Sequence, residues 1–156
     1  MLIRILAIGT KMPTWVSTGF QEYAKRFPPG WRFELCEIPA EKRMLHSDIA
    51  QIIEKEGEKI ISVLKPHHRM IALDIQGQSW STEQLSKNLQ NWSQTKQNID
   101  FVIGGPDGLS AACLNKAEMR WSLSALTLPH PLVRIILAEQ VYRALSILQN
   151  HPYHRS

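Results

Sequence analysis

Residues 2–8 read LIRILAI, a nearly unbroken apolar run of strand length, as expected for a strand covered on both faces of a parallel sheet. After the loop Gly9-Thr10-Lys11-Met12-Pro13, Thr14 is placed to cap a helix carrying Trp15, Val16, Phe20, Tyr23 and Phe27, which Pro28-Pro29-Gly30 stops. A second strand is predicted over 33–38 and ends at Pro39. A polar, basic linker, 40–46, leads to Ser47 as the N-cap of a helix from Asp48 to about Lys65, with Gly57 as a weak point in its middle. A third strand is predicted over 69–75 and a loop over 76–80. Ser81 with Gln84 has the spacing of a capping box for a helix to about Gln94.

A fourth strand over 99–103 runs straight into Gly104-Gly105-Pro106-Asp107-Gly108, and Ser110 opens a short helix to about Met119. Residues 121–128 are expected to form a fifth strand, cut off by Pro129 and Pro131, neither of which can continue a ladder of backbone donors. From Leu132 the period changes from two to about 3.6, with Val133, Ile136, Leu137, Val141, Leu145 and Leu148 along one stripe. Pro131 suits the first turn of that helix, where its missing donor costs nothing. The alternation of strand and helix predicts an α/β fold over 1–156 as a single domain, with a mostly parallel sheet and helices on both faces.

Composition narrows the class without naming a function. With 156 residues, 44% hydrophobic and 21% charged, the chain can bury a sizeable core. A net charge of +4 is compatible with a polyanionic partner but does not demand one. Cys36 and Cys113 stand far apart with no metal spacing, so they read as reduced, small apolar residues of a cytoplasmic protein. The run 2–8 contains Arg4 and is too short for a signal segment, and no run approaches the ~20 apolar residues of a membrane span.

The candidate chemistry lies where strands end. Ligands of open α/β sheets bind outside the carboxyl ends of the strands. The loop GGPDG follows one such end directly, and glycine permits positive φ and close backbone approach. It lacks the spacing of a dinucleotide fingerprint or a P-loop, and as a lone motif it reads equally well as a tight turn. Its companions are the strand end with Leu123, Ser124, Ala125, Leu126, Thr127 and Leu128, and a third end at Leu73-Asp74. Together these would make a pocket of backbone groups and leucine walls, suited to a flat base and a polar sugar.

The terminus Asn150-His151-Pro152-Tyr153-His154-Arg155 is dense in aromatic and cationic groups, although termini are more often solvated and frayed. Tyr153 could stack on a base while His154 and Arg155 meet phosphate or take a proton. A metal set from His130, His151 and His154 has no carboxylate beside it, so no metal is expected. His67 and His68 read as solvated, and Lys42-Arg43 as phosphate contacts or as loop solubilisers.

Taken together, GTKMPTWV, EIPA-x-KR at 37–43, ALDIQG, FVIGGPDGLS, WSLSALTLPHPLVRIILAEQVYRA and NHPYHR resemble the RlmH-type ribosomal RNA large-subunit methyltransferases of the SPOUT superfamily, from the first strand to the last residues. Glu41 departs from the glycine frequent there, and Asp107 from glutamate. The resemblance implies a C-terminal trefoil knot and a homodimer whose RNA site is shared across the interface. It implies S-adenosyl-L-methionine as cofactor, held by Leu73, Gly104, Gly105 and the stretch Leu123 to Leu128. The implied reaction is methylation at N3 of a pseudouridine in the helix 69 loop of 23S ribosomal RNA, on assembled ribosomes. His130, Arg143, Tyr153, His154 and Arg155 are the substrate-side candidates, with the proton acceptor left open among them. A non-catalytic ribosome-binding protein on the same fold is the alternative, and a metal-dependent hydrolase built on the tail histidines comes third.

Overall fold

The computed structural model describes residues 1–155. Its elements are β1 (Leu2–Ile8), α1 (Thr14–Ala24), β2 (Arg32–Ile38), α2 (Ile49–Val63), β3 (His68–Ser79), α3 (Thr82–Gln94), β4 (Asn98–Ile103), α4 (Ala111–Lys116), β5 (Met119–Ser122) and α5 (His130–Leu148). The strands form one five-stranded sheet in the order β2-β1-β4-β3-β5, and every pairing is parallel. The predicted fold class therefore holds.

Alternation along the strands divides the core in two. Ile3, Ile5 and Ala7 of β1 and Ile99, Phe101 and Ile103 of β4 point to one face, where Phe20 of α1, Leu85, Leu89 and Trp92 of α3, and Leu137 and Val141 of α5 cover them. Leu6, Ile8 and Val102 point to the other face and meet Ile60 of α2 and Cys113 of α4. Arg4 and Asp100 occupy the second face at the amino end of the sheet. Arg4 donates to both Asp100 carboxylate oxygens, at 2.7 and 2.6 Å, and to the Val63 carbonyl at the end of α2. His68 joins them, with Nδ1 2.9 Å from Asp100. Read from the sequence as a solvated loop residue, His68 has a side chain only 7% exposed.

The sheet departs from expectation at its far edge. β3 does not stop at residue 75. It arches out after Leu73, shifts register, and pairs with β5 again through Gln78 opposite Trp121 and Ser79 opposite Ser122. Gly77 makes the return possible, since a Cβ there would lie 2.6 Å from the Arg120 carbonyl. β5, expected over 121–128, is confined to Met119–Ser122. Beyond it, hydroxyls compete for the backbone. Ser122 Oγ donates to the Ser124 carbonyl and the Leu126 amide donates to Ser124 Oγ, so the chain turns out of the sheet.

Helix ends follow the capping rules with small shifts. The Ser81–Gln84 capping box is present, and Ser110 accepts from the Cys113 amide. Asp48, not Ser47, caps α2, while Ser47 Oγ accepts from the Met44 amide. α1 begins after Pro13 with no side-chain cap and ends before Phe27, and α5 opens at His130 with Pro131 in its first turn, as expected. Gly57 does not interrupt α2. A Cβ there would meet Ser110 Oγ at 2.2 Å, so the glycine lets α2 and α4 approach closely. Among the described residues no helix is long and apolar enough to cross a membrane.

Candidate functional site

Because all five strands are parallel, their carboxyl ends share one edge of the sheet, and a cleft of about 490 Å³ opens there. Three segments build it. The arch of β3 contributes Leu73, Asp74, Ile75 and Gln76, and the loop after β4 contributes Gly105, Pro106, Asp107 and Gly108. The turn after β5 supplies Leu123, Ser124, Leu126, Thr127 and Leu128. Val133, in the first turn of α5, also lines it.

Of the residues expected to hold a cofactor, Leu73, Gly105, Leu123, Ser124, Leu126, Thr127 and Leu128 line this cleft; Gly104 and Ala125 do not. Gly104 works from behind. A Cβ on it would lie 2.7 Å from the Gly108 backbone, so glycine is required for the loop to fold back on itself. Gly108 has φ +86 and is bridged to Gly105, which completes the turn. Leucines and the hydroxyls of Ser122, Ser124 and Thr127 line it, with Asp74, Asp107 and Arg120 as the charged groups.

Asp107 is held from outside the cleft. Arg43 Nε donates to Asp107 at 2.8 Å, while its two terminal nitrogens each donate to a Glu56 carboxylate oxygen at 3.0 Å. Glu56 is 2% exposed and also accepts from the Glu41 amide. These carboxylates drive the Arg43 pKa upward, Glu56 first, against the cost of burial. Arg43, read as a phosphate contact or a solubilising charge, is therefore a structural cation, while Lys42 is exposed.

The substrate-side candidates fall into two places. His130 opens α5 beside the β1–α1 loop; a Cβ on Gly9 would lie 3.8 Å from its Cε1. Burial, then the nearby Arg134 and Arg43, push its pKa below 6.5, and its buried Nδ1 has no hydrogen-bond partner among the described residues. Arg143, Tyr153 and His154 gather at the other end of α5. Glu139 Oε1 accepts from Arg143 Nε at 2.8 Å and from the Tyr153 hydroxyl at 3.1 Å. The Arg143 guanidinium lies 4.9 Å from the Tyr153 ring centre, and Tyr142 meets that ring edge-on at 4.7 Å. His154 Nε2 is 3.3 Å from Glu83 of α3.

The tail is thus docked on its own chain through Tyr153 and His154, while Arg155 is exposed. Burial and Glu139 push the Tyr153 phenol up to about 12. Among the described residues no group of three or more His, Cys, Asp or Glu side chains is placed to hold a metal ion.

Two residues that matter escaped the sequence reading. Arg134 is 1% exposed and donates to the Ile8 and Gly9 carbonyls and to Glu37. Glu56 is the buried anchor of Arg43. Both carried a signal. Glu56 lies four residues from Ile52 and from Ile60 on the buried stripe of α2, and Arg134 three before Leu137 on that of α5. A charge on the apolar face of a helix requires a partner inside.

The family model described as "Predicted SPOUT methyltransferase" matches residues 1–154, and the chain belongs to this SPOUT methyltransferase family.

Proposed function

We propose that this chain uses S-adenosyl-L-methionine to methylate N3 of a pseudouridine in the helix 69 loop of 23S ribosomal RNA, on assembled ribosomes. SPOUT methyltransferases generally use S-adenosylmethionine. The observation that carries the reading is the cleft itself. Its leucine faces suit the plane of an adenine, its hydroxyls suit base edge and ribose, and Asp74 offers a carboxylate to a cationic ligand. Leu73, Gly105, Leu123, Ser124, Leu126, Thr127 and Leu128 would hold the cofactor, with Gly104 shaping the loop. Bound there, it supplies a methyl group on a sulfonium, an electrophile that needs no further activation.

What remains for the protein is to orient the base and manage one proton. The imide N3–H must lose its proton before or during attack. His130 at the start of α5, and Tyr153 and His154 in the tail, are the candidates to accept it. Arg143 and Arg155 are the cations for the developing imide anion and for phosphate. Tyr153 presents an aromatic surface at the same end.

Val133 lines the cleft, whereas Arg143 stands ten residues further along α5, about 15 Å by helical rise. The tail cluster therefore lies apart from the cleft of its own chain. The reading accordingly takes the working unit as a homodimer with the site shared across the interface, and includes the knotted C-terminal segment. A ribosomal substrate entails action in the cytoplasm.

The test is transfer of labelled methyl from S-adenosylmethionine to ribosomes lacking the modification, mapped to the nucleotide. Label at the helix 69 pseudouridine, lost in Arg155→Ala, supports the assignment. Cofactor binding with no label on ribosomes or ribosomal RNA sinks it and favours a ribosome-binding role.

A further inference from the structure

α2 holds the turn that lines the cleft at two points, its middle and the residues just after it. Glu56 reaches the middle through Arg43, whose fork spans the two Glu56 oxygens at 3.0 Å each and whose Nε holds Asp107 at 2.8 Å. The next residue, Gly57, packs just beyond the turn, where its carbonyl accepts from Cys113 Sγ at 3.6 Å and its missing Cβ makes room for Ser110. Gly105, Pro106, Asp107, Gly108 and Leu109 of this turn line the cleft. The ion pair passes directly beneath the turn. A Cβ on Gly105 would meet Arg43 Nη2, Glu56 Oε1 and Ile8 Cγ2, each at 3.2 Å.

We propose that Glu56, acting through Arg43, is a positioning residue for the cofactor cleft, holding the 105–109 turn in the conformation that lines it. This rests on the cofactor reading above. A carboxylate buried on a helix is costly unless paired and fully hydrogen-bonded. Here both Glu56 oxygens are used, by Arg43 and by the Glu41 amide. The same guanidinium pins the segment after β2 through the Glu41 carbonyl. One buried carboxylate thus ties the 41–43 segment to the lining of the cleft, although Glu56 itself is not part of it.

The experiment measures S-adenosylmethionine binding by calorimetry, and amide hydrogen exchange over 104–109 in the free protein, for the wild type, Glu56→Gln, Arg43→Ala, Arg43→Lys and the Glu56→Gln/Arg43→Ala double variant. Both are run well below the unfolding temperature of each variant. If the competent turn falls to about a tenth of the population, the dissociation constant rises about tenfold. Glu56→Gln and Arg43→Ala should each show that rise with faster exchange over 104–109, and the double variant should be no worse than the worse single one. Arg43→Lys should recover only part of the loss, because an ammonium cannot fork across one carboxylate and reach a second.

A purely structural role for Glu56 would lower the unfolding temperature and leave the dissociation constant of the folded protein unchanged. That result overturns the inference while the cofactor reading stands. Absence of binding by the wild type overturns both. If Glu56→Gln does not fold, Arg43→Lys and Arg43→Ala decide by the same two readouts.

Discussion

The Arg134 guanidinium, sealed in the first turns of α5, lies 2.6 Å from the Glu37 carboxylate near the end of edge strand β2. Its other terminal nitrogen holds the carbonyls of Ile8 and Gly9, at 3.2 and 2.7 Å. A single side chain thus fixes the start of the last helix, which brings Val133 to the cleft, against the carboxyl ends of β1 and β2.

Replacing that side chain exposes how much depends on it. Arg134→Leu leaves two buried carbonyls without their donor and Glu37 without its cation, and should cost about 3 kcal/mol, chiefly for the unsatisfied carbonyls. The urea midpoint measures it. Glu37 is 37% exposed, so Glu37→Gln should cost clearly less.

The turn after β4 makes a steric prediction. In Gly104→Ala the new methyl would sit 2.7 Å from the Gly108 carbonyl carbon and 3.0 Å from the Leu109 nitrogen, both backbone. The turn must then move, at about 1–3 kcal/mol. Affinity for S-adenosylmethionine should fall even though Gly104 does not line the cleft, and calorimetry on the folded variant would show it.

His130 makes a prediction in acid. Its folded pKa lies below its ordinary 6.5, because of burial first and of Arg134 and Arg43 next. The unfolded chain takes up this proton more readily, so its contribution to stability is present above pH 6.5 and is lost as pH falls through the folded value. A ring-proton titration should place His130 below 6.5. The fall in urea midpoint between pH 7 and 5 should be smaller in His130→Phe.

Tyr153 makes the opposite prediction in base. Its phenol is pushed from 10 up to about 12 by burial and by Glu139. A raised folded value means that the contribution is complete below pH 10 and disappears as pH rises through about 12. Phenolate absorbance should show a late-titrating tyrosine that is missing in Tyr153→Phe. Glu139→Gln should bring that titration to lower pH.

Much of this molecule is decided by local sequence. The period-two and period-3.6 patterns place nearly every strand and helix, since each burial stripe is encoded by the residues that form it. The Ser81–Gln84 box and the Ser110 cap act over three residues, so they are visible without a tertiary structure. The cleft was legible for the same reason. A glycine turn directly beyond a buried strand falls at the carboxyl edge of a parallel sheet wherever the neighbouring strands lie.

Only the tertiary structure decided which charges are buried and what they hold. Arg43 and Asp107 meet across 64 residues and Arg134 and Glu37 across 97, and no local pattern contains such a pair. It also decided that β3 rejoins β5 after the bulge, and it docked the tail through Glu139 and Glu83 on two different helices. The hydrophobic pattern determines that a stripe is buried. Which partner satisfies a polar group on that stripe depends on what lies opposite, and that is known only once the chain has folded.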